Sequence, residues 1–310
     1  MLCMLHRGTT LELEQSTKQS TKSAPMNSTS TLKPAPYTDH FIDVAGLKLH
    51  YQDYGTAGKP QMLCIHGSAA HAHWFDFVAP GFTQDYHVIA LDMRGHGDSD
   101  WDRSATPEYN YDRYAADVHA LTEKLNLRDF ILAGHSMGGL LSIVYAATYP
   151  GRARAFIMID SSVNLPAERV AGMNAVGSRE GSSYADQNEF VAKFKVRPAG
   201  SSATPDIVRY LGLHSGRQFE DGRWRNKVDR NVYATRKAHV LFPYWDHIKI
   251  PALLMKGDRS NRVSPEVIAE VKARAPQVMV DEVPGCDHHV TLDNPLGFIQ
   301  VATKFLNKIK

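Results

Sequence analysis

The chain has 310 residues, 43% of them hydrophobic and 22% charged, with a formal net charge of +2. That length suits one large α/β domain with an insertion, or two small domains, and the composition is ordinary for a soluble globular protein. Lysines and arginines are spread along the chain, which gives no reason to expect nucleic acid or an anionic membrane as partner.

No apolar run approaches the roughly eighteen residues that a membrane-spanning helix needs. Cys3, Cys64 and Cys286 are scattered and form neither a disulfide framework nor a zinc-ligand pattern, so a reducing, cytoplasmic setting is expected. Residues 1–36 stand apart. Ser, Thr, Lys and Pro dominate from Gln15 to Pro36, the composition of a disordered extension, and Met26 within it is a candidate natural start.

Residues 41–44 and 47–54 read as a hairpin turned at Ala45-Gly46. Residues 62–65 form a short buried strand that closes on His66-Gly67-Ser68, followed by an amphipathic stretch around Trp74, Phe75 and Val78. The next strand, 87–91, ends in Asp92-Met93-Arg94-Gly95-His96-Gly97-Asp98-Ser99. Residues 111–127 carry Tyr114, Val118, Leu121 and Leu125 at helical spacing.

The most informative segment follows. The apolar run Phe130-Ile131-Leu132-Ala133 leads into Gly134-His135-Ser136-Met137-Gly138, and Leu140, Leu141, Val144 and Tyr145 then recur at helical spacing. This is the pattern of a strand that turns sharply into a helix and leaves a serine oxygen exposed at the bend. Glycine flanks the serine at two residues on either side because side chains there would clash. Five residues alone are a weak signal; the strand before and the helix after make Ser136 a candidate nucleophile.

Further strands are expected at 155–159, ending on Asp160, and at 252–255 and 278–283, with helices at 265–275 and 295–308. Alternating strands and helices imply a mostly parallel sheet covered on both faces. Residues 163–245 break the rhythm and are rich in Arg, Ser, Gly and aromatics. They read as a mobile, mainly helical cap over the carboxyl edge of the sheet, which divides the rest into core segments at 37–162 and 246–310.

A serine hydroxyl attacks a carbonyl only when a base takes its proton. A carboxylate must then orient that base, and two N–H groups must face the developing oxyanion. In open α/β sheets such groups collect beyond the carboxyl ends of the strands.

Three motifs, the Gly134–Gly138 bend, His66-Gly67 after an early strand, and Asp92-x-Arg94-Gly95-x-Gly97-x-Ser99, occur in the order and spacing of one superfamily. From Phe41 to its C-terminus the chain resembles the α/β-hydrolases. The resemblance implies an eight-stranded, mostly parallel sheet with helices on both faces and a helical cap. It maps the nucleophile to Ser136 and the oxyanion donors to the N–H groups of Met137 and Ser68.

The family's last loop carries a histidine, then an acidic residue and a proline, a register that selects His288 with Asp293 and Pro295. His289 is the rival, and Asp287 stands where the family usually has glycine. The family's usual acid position is held by Ser260, while Asp258 comes two residues early. A subset of relatives moves the acid to the end of the strand after the bend helix, where Asp160 stands. Asp160 is therefore the expected acid and Asp258 the alternative, against an ordinary turn or helix-cap role for either.

Asp92, Arg94, His96 and Asp98 are expected to shape the loop beside the oxyanion strand rather than to react. His71, Trp74 and Trp245 are expected to line the acyl pocket, with core packing as the competing reading. His66, His71, His73 and His288 have no carboxylate or cysteine ligand pattern around them, so neither a metal nor a cofactor is expected.

The reading is a cofactor-free serine hydrolase of small-to-medium carboxylic esters, with a small-molecule ester as its partner. A serine at the bend argues against epoxide hydrolase or haloalkane dehalogenase chemistry. C–C bond hydrolysis, perhydrolysis and a slow-turnover small-molecule receptor remain open on the same residues.

Overall fold

The structure, a computed structural model, describes residues 33–310. Most of the expected disordered extension at 1–36 therefore lies outside the described residues. Of its last four residues Ala35 is buried, and its N–H donates to the Asp76 carbonyl at 2.8 Å, while Lys33, Pro34 and Pro36 are exposed.

Ala45 and Gly46 both take positive φ, 50° and 81°, the turn that matches the twist of a tight hairpin. It folds β1 (Thr38–Val44) back on β2 (Leu47–Asp53), with Val44 paired to Leu47. Next come β3 (Gln61–Ile65), β4 (His87–Leu91), α1 (Tyr111–Lys124), β5 (Phe130–His135), α2 (Met137–Thr148) and β6 (Ala153–Ile159).

The inserted segment contains β7 (Asn164–Leu165), α3 (Ala167–Gly177), α4 (Gln187–Lys193), α5 (Pro205–Ser215), β8 (Gly216–Gln218), β9 (Trp224–Asn226), α6 (Asn231–Ala234) and β10 (His239–Val240). The chain then returns to the sheet with β11 (Ala252–Gly257), α7 (Pro265–Arg274), β12 (Met279–Val283), α8 (Val290–Asp293) and α9 (Pro295–Lys308).

The strands lie in the order β1-β2-β4-β3-β5-β6-β11-β12. β2 is antiparallel to both its neighbours, and the ladder from β4 to β12 is parallel. Successive residues of β5 feed opposite cores, Phe130 and Leu132 on one face, Ile131 and Ala133 on the other, which is why both faces carry helices. The chain leaves β3 toward β4 on one side and returns to β5 on the other. That reversal opens a crevice at the carboxyl ends of β3 and β5.

The loop after β4 is held by its own side chains. Asp92 accepts from the N–H groups of Ala72 (2.7 Å) and Asp98 (2.9 Å), and its Oδ2 lies 2.7 Å from His50 Nδ1. A Cβ on Gly97 would lie 2.1 Å from Asp92 Oδ2, so only glycine lets the loop close this tightly. Arg94 packs beneath and forms a two-pronged pair with Asp117 of α1.

The end of the expected cap needs correction. The 3-10 turn Phe242–His247 packs on α2 and α7, and within it Trp245 is fully buried against Phe156 at a ring separation of 5.7 Å. Trp245 is therefore a core residue, not part of an acyl pocket. An indole this large beside β6 finds more apolar surface in the core than at a polar cleft.

Candidate active site

Ser136 sits between the last residue of β5 and the first of α2, with φ 53° and ψ −113°. This strained bend is held because the neighbouring backbones leave no room for a wider one. A Cβ on Gly134 would lie 2.2 Å from the Gly138 carbonyl oxygen, and one on Gly138 would lie 2.3 Å from that of Ile65. The Ser136 N–H donates to Ile159 O at 2.9 Å, which leaves Oγ facing the crevice.

His288 Nε2 lies 3.0 Å from Ser136 Oγ, and His288 Nδ1 lies 2.7 Å from Asp160 Oδ2. Asp160 is fully buried at the end of β6 and takes a positive φ of 43°. Its Oδ2 also accepts from the Ser260 hydroxyl at 2.7 Å, and its Oδ1 from the Gly257 N–H at 3.2 Å. The serine that stands in the usual acid position thus holds the acid instead.

Burial pushes the Asp160 carboxyl up to about 6, against the two hydrogen bonds that favour its charge. Burial pushes His288 down to about 3, helped by the positive charges of Arg262 and Arg169 and opposed by Asp287. At neutral pH the imidazole is therefore free to take a proton while the carboxylate is charged beneath it.

Asp258 is exposed and turned away: its Oδ1 accepts from the Cys286 N–H at 3.0 Å. His289 is buried with Nε2 3.3 Å from the Pro198 carbonyl oxygen. The structure brings Asp160 and His288 together with Ser136, and neither alternative.

Met137 opens α2, so its N–H has no acceptor within the helix, and the helix N-terminus favours negative charge there. Ser68 lines the same cavity as Ser136 and Met137, a space of about 270 Å³. A smaller cavity of about 80 Å³ also borders Ser136 and is lined by Trp74 and Phe194. His71 sits one layer back, its Nε2 2.8 Å from Ser215 Oγ, and lines neither cavity.

The histidines of the possible metal set are separately engaged, His66 with the Gly67 carbonyl and the Met93 N–H, His73 with Asp76, His71 with Ser215. Among the described residues His50, Asp92 and Asp98 bring potential ligand atoms within 4.8 Å, but Asp92 is already committed to loop N–H groups.

Several residues escaped the sequence reading. His135, inside the bend motif, holds the His288 carbonyl through Nε2 at 2.8 Å. Arg169, Arg236 and Arg262 line the cavity with Ser136. For Arg169 and Arg236 the only signal was the Arg-rich composition of the insertion, which says nothing of where a side chain lands; Arg262, in the loop after β11, had none.

A family model described as alpha/beta hydrolase fold matches residues 60–295. The chain is 28% identical over 279 residues to 2-(acetamidomethylene)succinate hydrolase of Mesorhizobium japonicum, covering 87% of this chain and 97% of that protein. It is 25% identical over 286 residues to sn-1-specific diacylglycerol lipase ABHD11 of Mus musculus, covering 89% and 86%. Among solved structures, E-2-(acetamidomethylene)succinate hydrolase superposes with a TM-score of 0.77 at 26% identity, over 88% of this chain and 100% of that one. The thioesterase domain from the curacin biosynthetic pathway superposes at 0.74 and 20% identity, over 87% and 99%, a likeness of fold alone.

Proposed function

The chain belongs to the alpha/beta hydrolase fold family, and from that premise we propose that it is a serine hydrolase of small carboxylic esters working through an acyl-enzyme. The observation that carries this reading is the unbroken line from Asp160 through His288 to Ser136, at 2.7 and 3.0 Å, ending beside the free helix N-terminus at Met137.

His288 Nε2 takes the Ser136 proton as Oγ attacks the ester carbonyl. The N–H groups of Met137 and Ser68 receive the oxyanion. The imidazolium, steadied by Asp160 at Nδ1, then protonates the departing alcohol. A water deprotonated by the same Nε2 hydrolyses the acyl-enzyme and frees the acid. The relatives' names span lipids and a small acid, and the cavity of about 270 Å³ favours the small end of that range.

Steady-state hydrolysis of p-nitrophenyl esters from acetate to decanoate tests the proposal. We expect an optimum at short acyl chains and a loss on the order of 10⁴-fold or more in Ser136→Ala. Turnover that survives Ser136→Ala overturns it.

A further inference from the structure

Four arginines, Arg169, Arg197, Arg236 and Arg262, line the cavity that holds Ser136 and His288, and among the described residues no Asp or Glu lines it. Among the described residues, none of the four lies within ion-pairing distance of a carboxylate. Arg236 is the extreme case. It is only 5% exposed, and its Nε has no hydrogen-bond partner among the described residues.

Its other nitrogens touch neutral atoms: Nη2 lies 2.8 Å from Met137 Sδ and 3.5 Å from Ser68 Oγ, and Nη1 lies 3.5 Å from the Tyr111 hydroxyl. A guanidinium taken out of water and left without an anion is costly. Here that cost is carried at the wall of the cleft, against the side chains of Ser68 and Met137.

We propose that this cavity takes a substrate with a free carboxylate at the end of a short acyl chain, a short dicarboxylic acid derivative, and that Arg236 receives that carboxylate. The planar fork of a guanidinium suits a carboxylate and no neutral acyl chain so well. The half-buried Arg262, with Arg169 on α3, extends the positive wall on the His288 side, so the whole cavity focuses negative charge toward the reacting serine. At about 270 Å³ the space fits a compact acid rather than a long alkyl tail. The substrate class rests on the serine-hydrolase reading; the anion site itself does not.

Two chromogenic esters with acyl chains of the same length test it: mono-p-nitrophenyl glutarate, which carries a free carboxylate, and p-nitrophenyl pentanoate, which does not. The wild-type protein is expected to prefer the glutarate by roughly tenfold or more in kcat/KM, mainly through KM, and to lose part of that preference at high salt. In Arg236→Met the ratio of the two esters falls toward one, and Arg236→Lys recovers part of it.

A wild type that prefers pentanoate, or a preference for glutarate that persists in Arg236→Met, overturns the proposal. If neither ester is turned over, the hydrolase reading fails and binding decides separately. Glutarate then raises the melting temperature of the wild type but not of Arg236→Met if the anion site exists. An equal shift in both proteins, or none in either, overturns it.

Discussion

Two arginines in this molecule are almost equally buried, Arg94 at 2% exposure and Arg236 at 5%, and their surroundings are opposite. Arg94, in the loop after β4, is gripped by Asp117 through both prongs of its guanidinium, with Asp102 also 3.6 Å away. Arg236, in the wall of the cleft, touches a thioether and two hydroxyls. The first region has matched its own charges and ties the loop after β4 to α1. The second has left charge unmatched. A site whose reacting groups are satisfied internally and whose walls are not is preorganised for its chemistry and open toward its ligand.

The same contrast orders the expected effects of mutation. Asp160→Asn breaks the internally matched line at its base and leaves His288 without its charged partner. We expect kcat to fall by about 10⁴-fold, while Asp258→Asn stays within about twofold. The reverse pattern would move the acid to the other strand end. Asp117→Ala strips Arg94 of its principal partner in a buried place, and urea unfolding is expected to show a loss of about 3–5 kcal/mol.

Arg236→Met is the sharpest contrast with it. Removing a buried charge that pairs with no carboxylate among the described residues is expected to cost less than about 1 kcal/mol, or to stabilise the fold. A loss as large as that of Asp117→Ala would erase the distinction between the two regions.

The smallest effect concerns pH. Arg262 and Arg169 hold the His288 proton affinity down together with burial, while Asp287 opposes them. Asp160, itself pushed up to about 6, shares the proton taken up by the pair. Activity requires the unprotonated pair and is lost as pH falls. Removing a positive charge makes protonation easier, so Arg262→Gln is expected to move the acid limb of kcat/KM on p-nitrophenyl pentanoate to higher pH. A shift to lower pH would show that Arg262 acts on another group.

Much of the site was legible in the sequence because it is written in local backbone geometry. The bend around Ser136 needs glycine at 134 and 138 for steric reasons that hold wherever such a bend occurs, and the structure supplies the two close contacts that say so. The loop that carries His288 was found by the register of Asp293 and Pro295. There Asp293 accepts from the Asp287 N–H at 3.0 Å and Pro295 opens α9.

Residues that meet only across long separations were harder to read. Asp160 and Asp258 both follow strands that flank the site, and no local rule separates them. Trp245 looked like one cap aromatic among several, yet the turn that bears it closes onto α2 and α7.

The sequence by itself determined the order of strands and helices outside the inserted segment, the sharp bend at Ser136 and the histidine loop, because alternating burial, steric exclusion and turn chemistry act over a few neighbouring residues. Only the tertiary structure decided that Asp160 reaches His288, that Ser260 holds Asp160, and that Arg236 stands uncompensated beside Ser68 and Met137. Those contacts join residues 99 to 168 positions apart, such as Arg236 with Met137 and Arg236 with Ser68. Charge compensation at such distances depends on how the inserted segment packs over the sheet, which no local pattern encodes.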